Sequence, residues 1–375
     1  MKSFHLSKEK RVHGHGRHPI ASDASFVESI PMRQLTFIKP GLLEWQDVPT
    51  PRLEADTDAL VRPLAVARCD LDLYIANGVA AGYVGPFAMG HEAIGVVTDA
   101  GAKAGVVPGT MVVVPFQLSC GRCAKCARGW TNSCTNVPHR AAFGMKPLSG
   151  VEHGGALSEL MRVPYADHML VPVPAGVDPL AIASVADNIP DGWRAVAPHL
   201  EERPGANVLV VGGMGRSIGL YAAGAAVSLG AGKVLYLDDD EERRRIATSL
   251  GAFAEPLALK ERKPVEQFEI TVDASGQVDS LNFAVVSTAP NGVITVISLY
   301  FTDAIPFPMR RMYGKGITLH TGRVQARMEL PGVLKHCASG HFHPDKVTTR
   351  IVPFSEAAEA MTDPGAKIVF RNDLR

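Results

Sequence analysis

Four cysteines crowd into fifteen residues, CGRCAKCARGWTNSC, at Cys120, Cys123, Cys126 and Cys134. The spacing C-x2-C-x2-C-x7-C lets four thiolates wrap one ion tetrahedrally, and Zn²⁺ suits such a closed, redox-inert structural site. Bacterial ferredoxin runs begin with the same short gaps, but their fourth cysteine follows after three residues and precedes a proline. Here seven residues intervene and Thr135 follows. Disulfide frameworks of secreted proteins spread cysteines along short chains, which this one is not. The thiols are therefore expected on a metal, in a reducing, cytoplasmic setting.

A second chemical signal is VLVVGGMGRSIG, which places Gly212, Gly213, Gly215 and Gly219 between an apolar strand and a helix, with Ser217 and Ile218 in the turn. Glycines let the backbone approach a pyrophosphate, whose charge then sits on the helix N-terminus. The spacing G-x-x-G-x-x-x-G departs from G-x-G-x-x-G, so the flanking elements carry the reading. Asp238 ends the next strand, where a carboxylate can bind the adenosine ribose 2′-OH and repel a 2′-phosphate, favouring NAD over NADP. Asp239 and Asp240 read as a solvated helix start. Arg243 has two open readings, covering the adenosine or pairing with the neighbouring acids.

Cys69, in ARCDLD, and His91, in GHEAIG, are the natural partners for a second metal. A lone Cys or His is usually a core residue. The context raises these two, because His91 sits in a tight segment between Gly90 and Gly95, at the entry to a strand. A catalytic zinc needs about three protein ligands and one exchangeable position. Elsewhere, His139, His153, His168 and Cys337 read as structural, and no Gly-x-Ser-x-Gly elbow supports hydrolase chemistry.

These residues need elements to hold them. The first half reads as short strands broken by Gly and Pro, such as Ile94–Thr98, Thr110–Pro115 and Ala156–Val163. From Asn188 strands alternate with helices: Val208–Val211, a small-residue helix over Ile218–Leu229, Val234–Leu237, a charged helix over Glu241–Leu250, then Ile270–Val272 and Val293–Leu299. Repeated βαβ units imply a doubly wound sheet. After His320 mixed segments return, with a helix over Ser355–Met361 and a last strand near Ile368. The predicted class is α/β. Residues 32–187 and 321–375 form a β-rich domain with a cysteine lobe at about 116–137, and residues 188–320 form an inserted dinucleotide domain. Residues 1–31, with His5, His13, His15 and His18, read as a solvated extension without a secretory core.

The 375 residues are enough for two cores. Hydrophobic residues make up 46% and Lys+Arg balance Asp+Glu at 38 each, which gives no global electrostatic case for nucleic acid or an anionic membrane. No run of about 18 apolar residues suggests a spanning helix.

GHExxG, the four-cysteine lobe, the glycine loop and the late Val272–Asp273 together resemble the zinc-dependent medium-chain alcohol dehydrogenases, over about residues 32 to 375. The resemblance implies a GroES-like catalytic domain plus a Rossmann cofactor domain, two zinc ions per chain and NAD. It implies Cys69 and His91 as catalytic zinc ligands, and Glu92 as a carboxylate that approaches the metal. Asp187, in DNIPDGW, falls on the third-ligand position, and Asp72 on the carboxylate that orients the zinc-bound imidazole. It further implies an alcohol or carbonyl substrate and a homodimer or homotetramer joined through cofactor domains, with Val293–Leu299 as the edge strand for self-pairing.

Zn²⁺ as a Lewis acid lowers the pKa of an alcohol, and the nicotinamide accepts its hydride. The sequence departs from the family pattern where the proton should leave. Leu71 stands where a Ser or Thr begins the relay, Tyr74 where a His often follows, and Asp191 where a Thr faces the nicotinamide. Tyr74, Asp70 or water is the expected substitute. Two alternatives accompany this reading: a formaldehyde- or polyol-dehydrogenase type of the same family, and a catalytically silent NAD- and zinc-binding homologue.

Overall fold

The computed structural model describes residues 30–261 and 267–374. Nearly all of the expected extension, including its four histidines, lies outside the described residues. The first strand, Pro31–Lys39, begins within one residue of Met32.

Short strands build a seven-stranded sheet in the order Arg350–Pro353, Ile368–Arg371, Ala59–Ala67, Glu92–Ala100, Met111–Val114 and Val171–Pro172, with Met161–Val163 paired to Ala59–Ala67 off that path. The last strand, Ile368–Arg371, thus runs antiparallel beside Ala59–Ala67, so the chain returns to its first sheet. A three-stranded sheet, Pro31–Lys39 between Leu42–Pro49 and Phe87–Ala88, packs against it. Leu35, Phe37, Val66, Phe143 and Phe370 are fully buried in the core they share. The expected strand Ala156–Val163 is regular only over Met161–Val163. Ala156 and Leu157 instead donate to the carbonyls of Gly90 and Met89 at 2.8 and 3.1 Å, bracing the loop before His91.

The second sheet is parallel throughout, ordered Phe253–Glu255, Val234–Leu237, Val208–Val211, Phe268–Asp273, Thr288–Val296, Thr318–Thr321. Val208–Val211 is buried at every residue, as a central strand covered on both faces must be. The strand order reverses beside it, and the glycine loop leaves its carboxyl end at that switch point.

The expected edge strand is corrected here. Val293–Leu299 overlaps a strand that runs Thr288–Val296 and has neighbours on both sides. Its apolarity reflects burial in the sheet interior. The edge is Thr318–Thr321, exposed at all four residues, whose polar TLHT sequence gives no apolar strand signal.

Helix Asn188–Arg194 crosses helix Arg216–Ser228 with backbones almost touching, since a Cβ on Gly192 would lie 2.7 Å from Ala222 N. This crossing brings Asp187 and Asn188 to the start of the helix that follows the glycine loop. Helix Ala326–Ala338 joins the same core through Leu330, Val333 and Leu334, packed with Ile189 and Trp193. In place of the expected Ser355–Met361 helix there is a 3₁₀ turn, Phe354–Glu356, followed by one α turn, Ala357–Ala360.

Candidate metal and cofactor sites

Cys69 is the N-cap of helix Asp70–Ala76, and Asp72 sits in that helix's first turn. The Asp72 carboxylate accepts from Cys69 N at 3.0 Å with Oδ2 and faces His91 Nδ1 at 3.2 Å with Oδ1. One side chain therefore touches both neighbours, and its place beside Nδ1 leaves His91 Nε2 facing Asp187. Asp187 lies between the turn Ala183–Ala186 and helix Asn188–Arg194, with Oδ2 3.5 Å from His91 Nε2. Donor atoms of Cys69, His91, Glu92 and Asp187 all lie within 4.8 Å of one another, and all four residues are buried.

This cluster needs a cation. Burial pushes the Cys69 thiol up to about 11. Burial disfavours charge on His91 as well, but the Asp72 carboxylate and bonds to Asp187 and Cys69 outweigh it and lift the imidazole well above its usual value. The crowded lone pairs thus compete for protons, and a divalent ion in their midst would replace those protons. Cysteine, histidine and carboxylate with one side open to a cavity match a catalytic zinc donor set.

In the lobe, Cys120, Cys123, Cys126 and Cys134 also bring their sulfurs within 4.8 Å of one another, with Cys123 and Cys134 at 3.9 Å. A tetrahedral ion with Zn–S bonds of about 2.3 Å spaces its sulfurs about 3.8 Å apart, and a disulfide would need about 2 Å. Backbone N–H groups, that of Cys126 first, pull the Cys123 thiol down to about 5, and burial pushes Cys126 up to about 12. Both donor sets fit zinc.

Glu92 sits behind the catalytic cluster. Its Oε1 meets Lys367 Nζ at 3.2 Å and its Oε2 accepts from the Ser184 hydroxyl. Burial lifts its carboxyl to about 7. Lys367 also donates to Asn188 Oδ1 at 2.7 Å and Arg68 O at 2.9 Å. Asn188 in turn donates to Asp187 Oδ2 at 3.0 Å and Cys69 Sγ at 3.4 Å. Sequence reasoning missed Asn188, which touches the ligands, and Lys367 and Ser184, which touch Glu92 behind them; none carries a motif of its own.

A groove of about 280 Å³ follows the glycine loop, lined by Gly212, Gly213, Met214, Arg216, Asp238 and Arg243 among others. A Cβ at Gly212 would lie 2.3 Å from Asp238 Oδ2 and 2.5 Å from the Tyr236 hydroxyl, so only glycine leaves this cradle open. Asp238 is held from three sides: Tyr236 donates to Oδ2 at 2.8 Å, Arg243 to both oxygens at 2.7 Å, and Asp240 N to Oδ1 at 2.9 Å. Of the two readings for Arg243, pairing with the acids is the one found, although the residue still lines the groove.

Three residues stand elsewhere than expected. Tyr74 donates its hydroxyl to Met214 O at 2.8 Å, so that proton is committed to the glycine loop and not to a relay from the metal. Ser217 is fully buried and its hydroxyl bonds Asn188 Oδ1 at 3.2 Å, tying the helix start to the metal cluster and not to a pyrophosphate. Gly219 lies against Ala274, where a Cβ would come within 3.0 Å of the Ala274 side chain, so it serves helix–sheet packing.

A slot lined by Tyr74, Met214, Ile218, Ser298 and Cys69 leads from the groove to the metal cluster. Beyond it opens a cavity of about 380 Å³, lined by Cys69, His91 and Asp187 on one side and chiefly by apolar residues on the other, with Leu71, Phe116 and Ile297 among them. Ser298 Oγ, buried without a partner in the wall common to slot and cavity, is a polar atom awaiting a ligand. Asp191, read as facing the nicotinamide, lines the cavity but is bound by Arg194 at 2.5 Å.

Residues 55–175 match the alcohol dehydrogenase GroES-like domain, and residues 217–339 match the zinc-binding dehydrogenase domain. The chain is 27% identical to a probable zinc-binding alcohol dehydrogenase of Mycobacterium tuberculosis, over 90% of this chain and 86% of that one. It is 32% identical to a medium chain reductase/dehydrogenase of an Acremonium species, over 74% of this chain and 96% of the relative. The structure superposes on the alcohol dehydrogenase of Thermus sp. ATN1 with a TM-score of 0.83 and 28% identity, covering 91% of this chain and all of the other. With both domains matched in order, and with metal donors and glycine loop on one continuous cleft, the chain belongs to the zinc-dependent medium-chain alcohol dehydrogenase family.

Proposed function

We propose that this chain transfers a hydride between a small-molecule alcohol and NAD, giving an aldehyde or ketone, and that it also runs the reverse reaction. The observation that carries the reading is the shared wall of slot and cavity, where Cys69, Leu71, Ile218, Ile297 and Ser298 line both. A nicotinamide entering from the groove and an alcohol in the cavity would meet beside Cys69.

Cys69, His91 and Asp187 would hold the catalytic zinc, which supplies Lewis acidity to the alcohol oxygen; NAD supplies the hydride acceptor. The chain's own residues prepare that meeting. Asp72 fixes the His91 tautomer and ring angle, and Asn188 steadies the thiolate and carboxylate through its amide. Leu71 and Ile218 keep the reacting carbon dry. The glycine-lined groove would take the pyrophosphate, and Asp238 the adenosine ribose, which favours NAD. Residues 32–187 and 321–375 would form the catalytic unit around cofactor residues 188–320. The exposed Thr318–Thr321 edge would pair with its copy in a dimer. Among the described residues no helix is long and apolar enough to cross a membrane, and four lobe thiols gathered for a metal would suit a reducing, cytoplasmic setting.

One observation favours a second reading, the silent NAD- and zinc-binding homologue. Leu71 offers no hydroxyl and Tyr74 has spent its own on Met214. NADH formation by zinc-loaded protein, across primary, secondary, cyclic and aromatic alcohols, decides between them. Turnover of any alcohol supports the dehydrogenase; bound NAD and two zincs without turnover in either direction would support the silent protein.

A further inference from the structure

Two guanidinium groups reach the cavity, and neither forms an ion pair with an acid among the described residues. Arg323 donates Nη2 to Asn132 O at 2.7 Å, while its Nη1 is buried with no hydrogen-bond partner. Arg140 lines the same cavity and is itself exposed, which sets it at the mouth. Its φ of 63° is left-handed, a conformation that costs a non-glycine residue on the order of 1 kcal/mol. The two cations are close enough to repel: burial and then the Arg140 charge both pull Arg323 below its ordinary value.

Among the described residues, the acids near this cavity have other partners, although Asp187 also draws on Arg323 from the metal cluster. Asp191 is bound by Arg194, Glu92 by Lys367, and Asp72 by His91. A divalent metal held by Cys69, His91 and Asp187 would offset the thiolate and carboxylate that bind it. That leaves two positive charges facing an otherwise apolar space. A half-buried cation without a counter-charge, as Arg323 is, is costly, and a second cation at the mouth adds to its repulsion. The cofactor's phosphates do not answer for these residues, because the glycine-loop groove has its own arginine, Arg216, and neither Arg140 nor Arg323 lines it.

We propose that the alcohol oxidised here carries an anionic group, a carboxylate or a phosphate, held by Arg140 and Arg323 while its hydroxyl lies toward Cys69, His91 and Asp187. The planar guanidinium fork suits either anion through paired N–H···O bonds. Asn132 O and the half-buried position hold Arg323 in advance, so little rotamer freedom is lost on binding. Tyr83, also on the cavity wall, adds a hydroxyl to the lining. This inference rests on the dehydrogenase reading.

The test compares matched alcohols on the zinc-loaded enzyme with NAD: 1,4-butanediol, 4-hydroxybutyrate and 3-hydroxypropyl phosphate. One anionic member is expected to exceed the neutral diol at least tenfold in kcat/KM, and the better anion identifies the source. Arg140→Gln and Arg323→Gln are each expected to reduce kcat/KM for that anion at least tenfold more than for the diol, chiefly through KM. Equal or better use of the diol, or an anion preference that survives both substitutions, overturns the proposal. Calorimetric titration of the same compounds separates the two readings. Arginine-dependent binding of the anion without turnover upholds the anion site and fails the dehydrogenase reading. Turnover of the diol without any anion preference does the reverse.

Discussion

Arg243 clasps Asp238 with two hydrogen bonds of 2.7 Å, Nε to Oδ2 and Nη2 to Oδ1. The carboxylate is thereby fixed in the groove, and the guanidinium, which also faces Asp240 Oδ2 at 3.6 Å, is occupied by acids. Asp238→Gly removes the clasp's anionic half and frees Arg243 to meet a 2′-phosphate. The ratio of kcat/KM for NADP over NAD is expected to rise at least tenfold, about 1.4 kcal/mol. Arg243→Ala, with Asp238 kept, should lower NADP use. An unchanged ratio in Asp238→Gly would place the adenosine ribose away from this strand end.

The metal clusters predict separate losses. Asp187→Ala removes one of three donors from the Cys69–His91 cluster and leaves the lobe 50 residues upstream untouched. Zinc content should fall from two ions to one per chain, with hydride transfer lost and the far-ultraviolet spectrum retained. Cys126→Ser should instead lower thermal stability, by roughly 10 °C or more, since a structural zinc contributes folding free energy directly. Elemental analysis and melting curves on both variants check the division. Full activity with two zincs in Asp187→Ala would exclude it as a ligand.

Asp191 sets a pH dependence whose sign follows from its burial. Burial lifts its carboxyl to about 6 from 3.8, against the pull of Arg194. Between those values the folded chain holds a proton that the unfolded chain releases, so this group's contribution to stability falls as pH rises through the window and is level above about 6. Asp191→Asn has no such proton. Relative to the parent it should gain about 1 kcal/mol between pH 5 and 7, or about 2–4 °C in melting temperature. A gap between the two melting temperatures that does not vary with pH would mean that Asp191 ionises like an exposed acid.

What was legible in the sequence was mostly local. The lobe cysteines and GHE lie close together in the chain, and apolar strands beside a glycine loop announce a parallel sheet whatever its partners. Asp187 was placed by likeness to a family motif and not by its own spacing. The residues that escaped notice act across long separations: Lys367 lies 275 residues from Glu92, and Arg323 reaches Asn132 from 191 residues away. Tyr74 departs from its expected role because helix geometry, and not distance in sequence, decides where it points; about one and a half turns beyond Cys69 it faces Met214. The edge strand was misread because an apolar run reports burial and says nothing of which neighbours supply it.

Lys367 and Glu92 form an ion pair with neither side chain exposed, 3.2 Å apart behind the metal cluster. Breaking such a pair from one side strands the other charge, at a cost of about 3–5 kcal/mol. Lys367→Met should therefore lower the melting temperature by roughly 10 °C. Because burial already holds Glu92 near 7, the stranded carboxyl escapes the penalty by taking up a proton. The deficit should be smaller at pH 6 than at pH 8, since a raised acid is destabilising only where it must ionise. Adding Glu92→Gln to Lys367→Met removes the stranded charge and should restore part of the loss, with a coupling of at least about 1 kcal/mol in the double-mutant cycle. Additive effects of the two substitutions, or a deficit that ignores pH, would show that Lys367 is held by Asn188 and the Arg68 carbonyl alone and that its charge does nothing for Glu92.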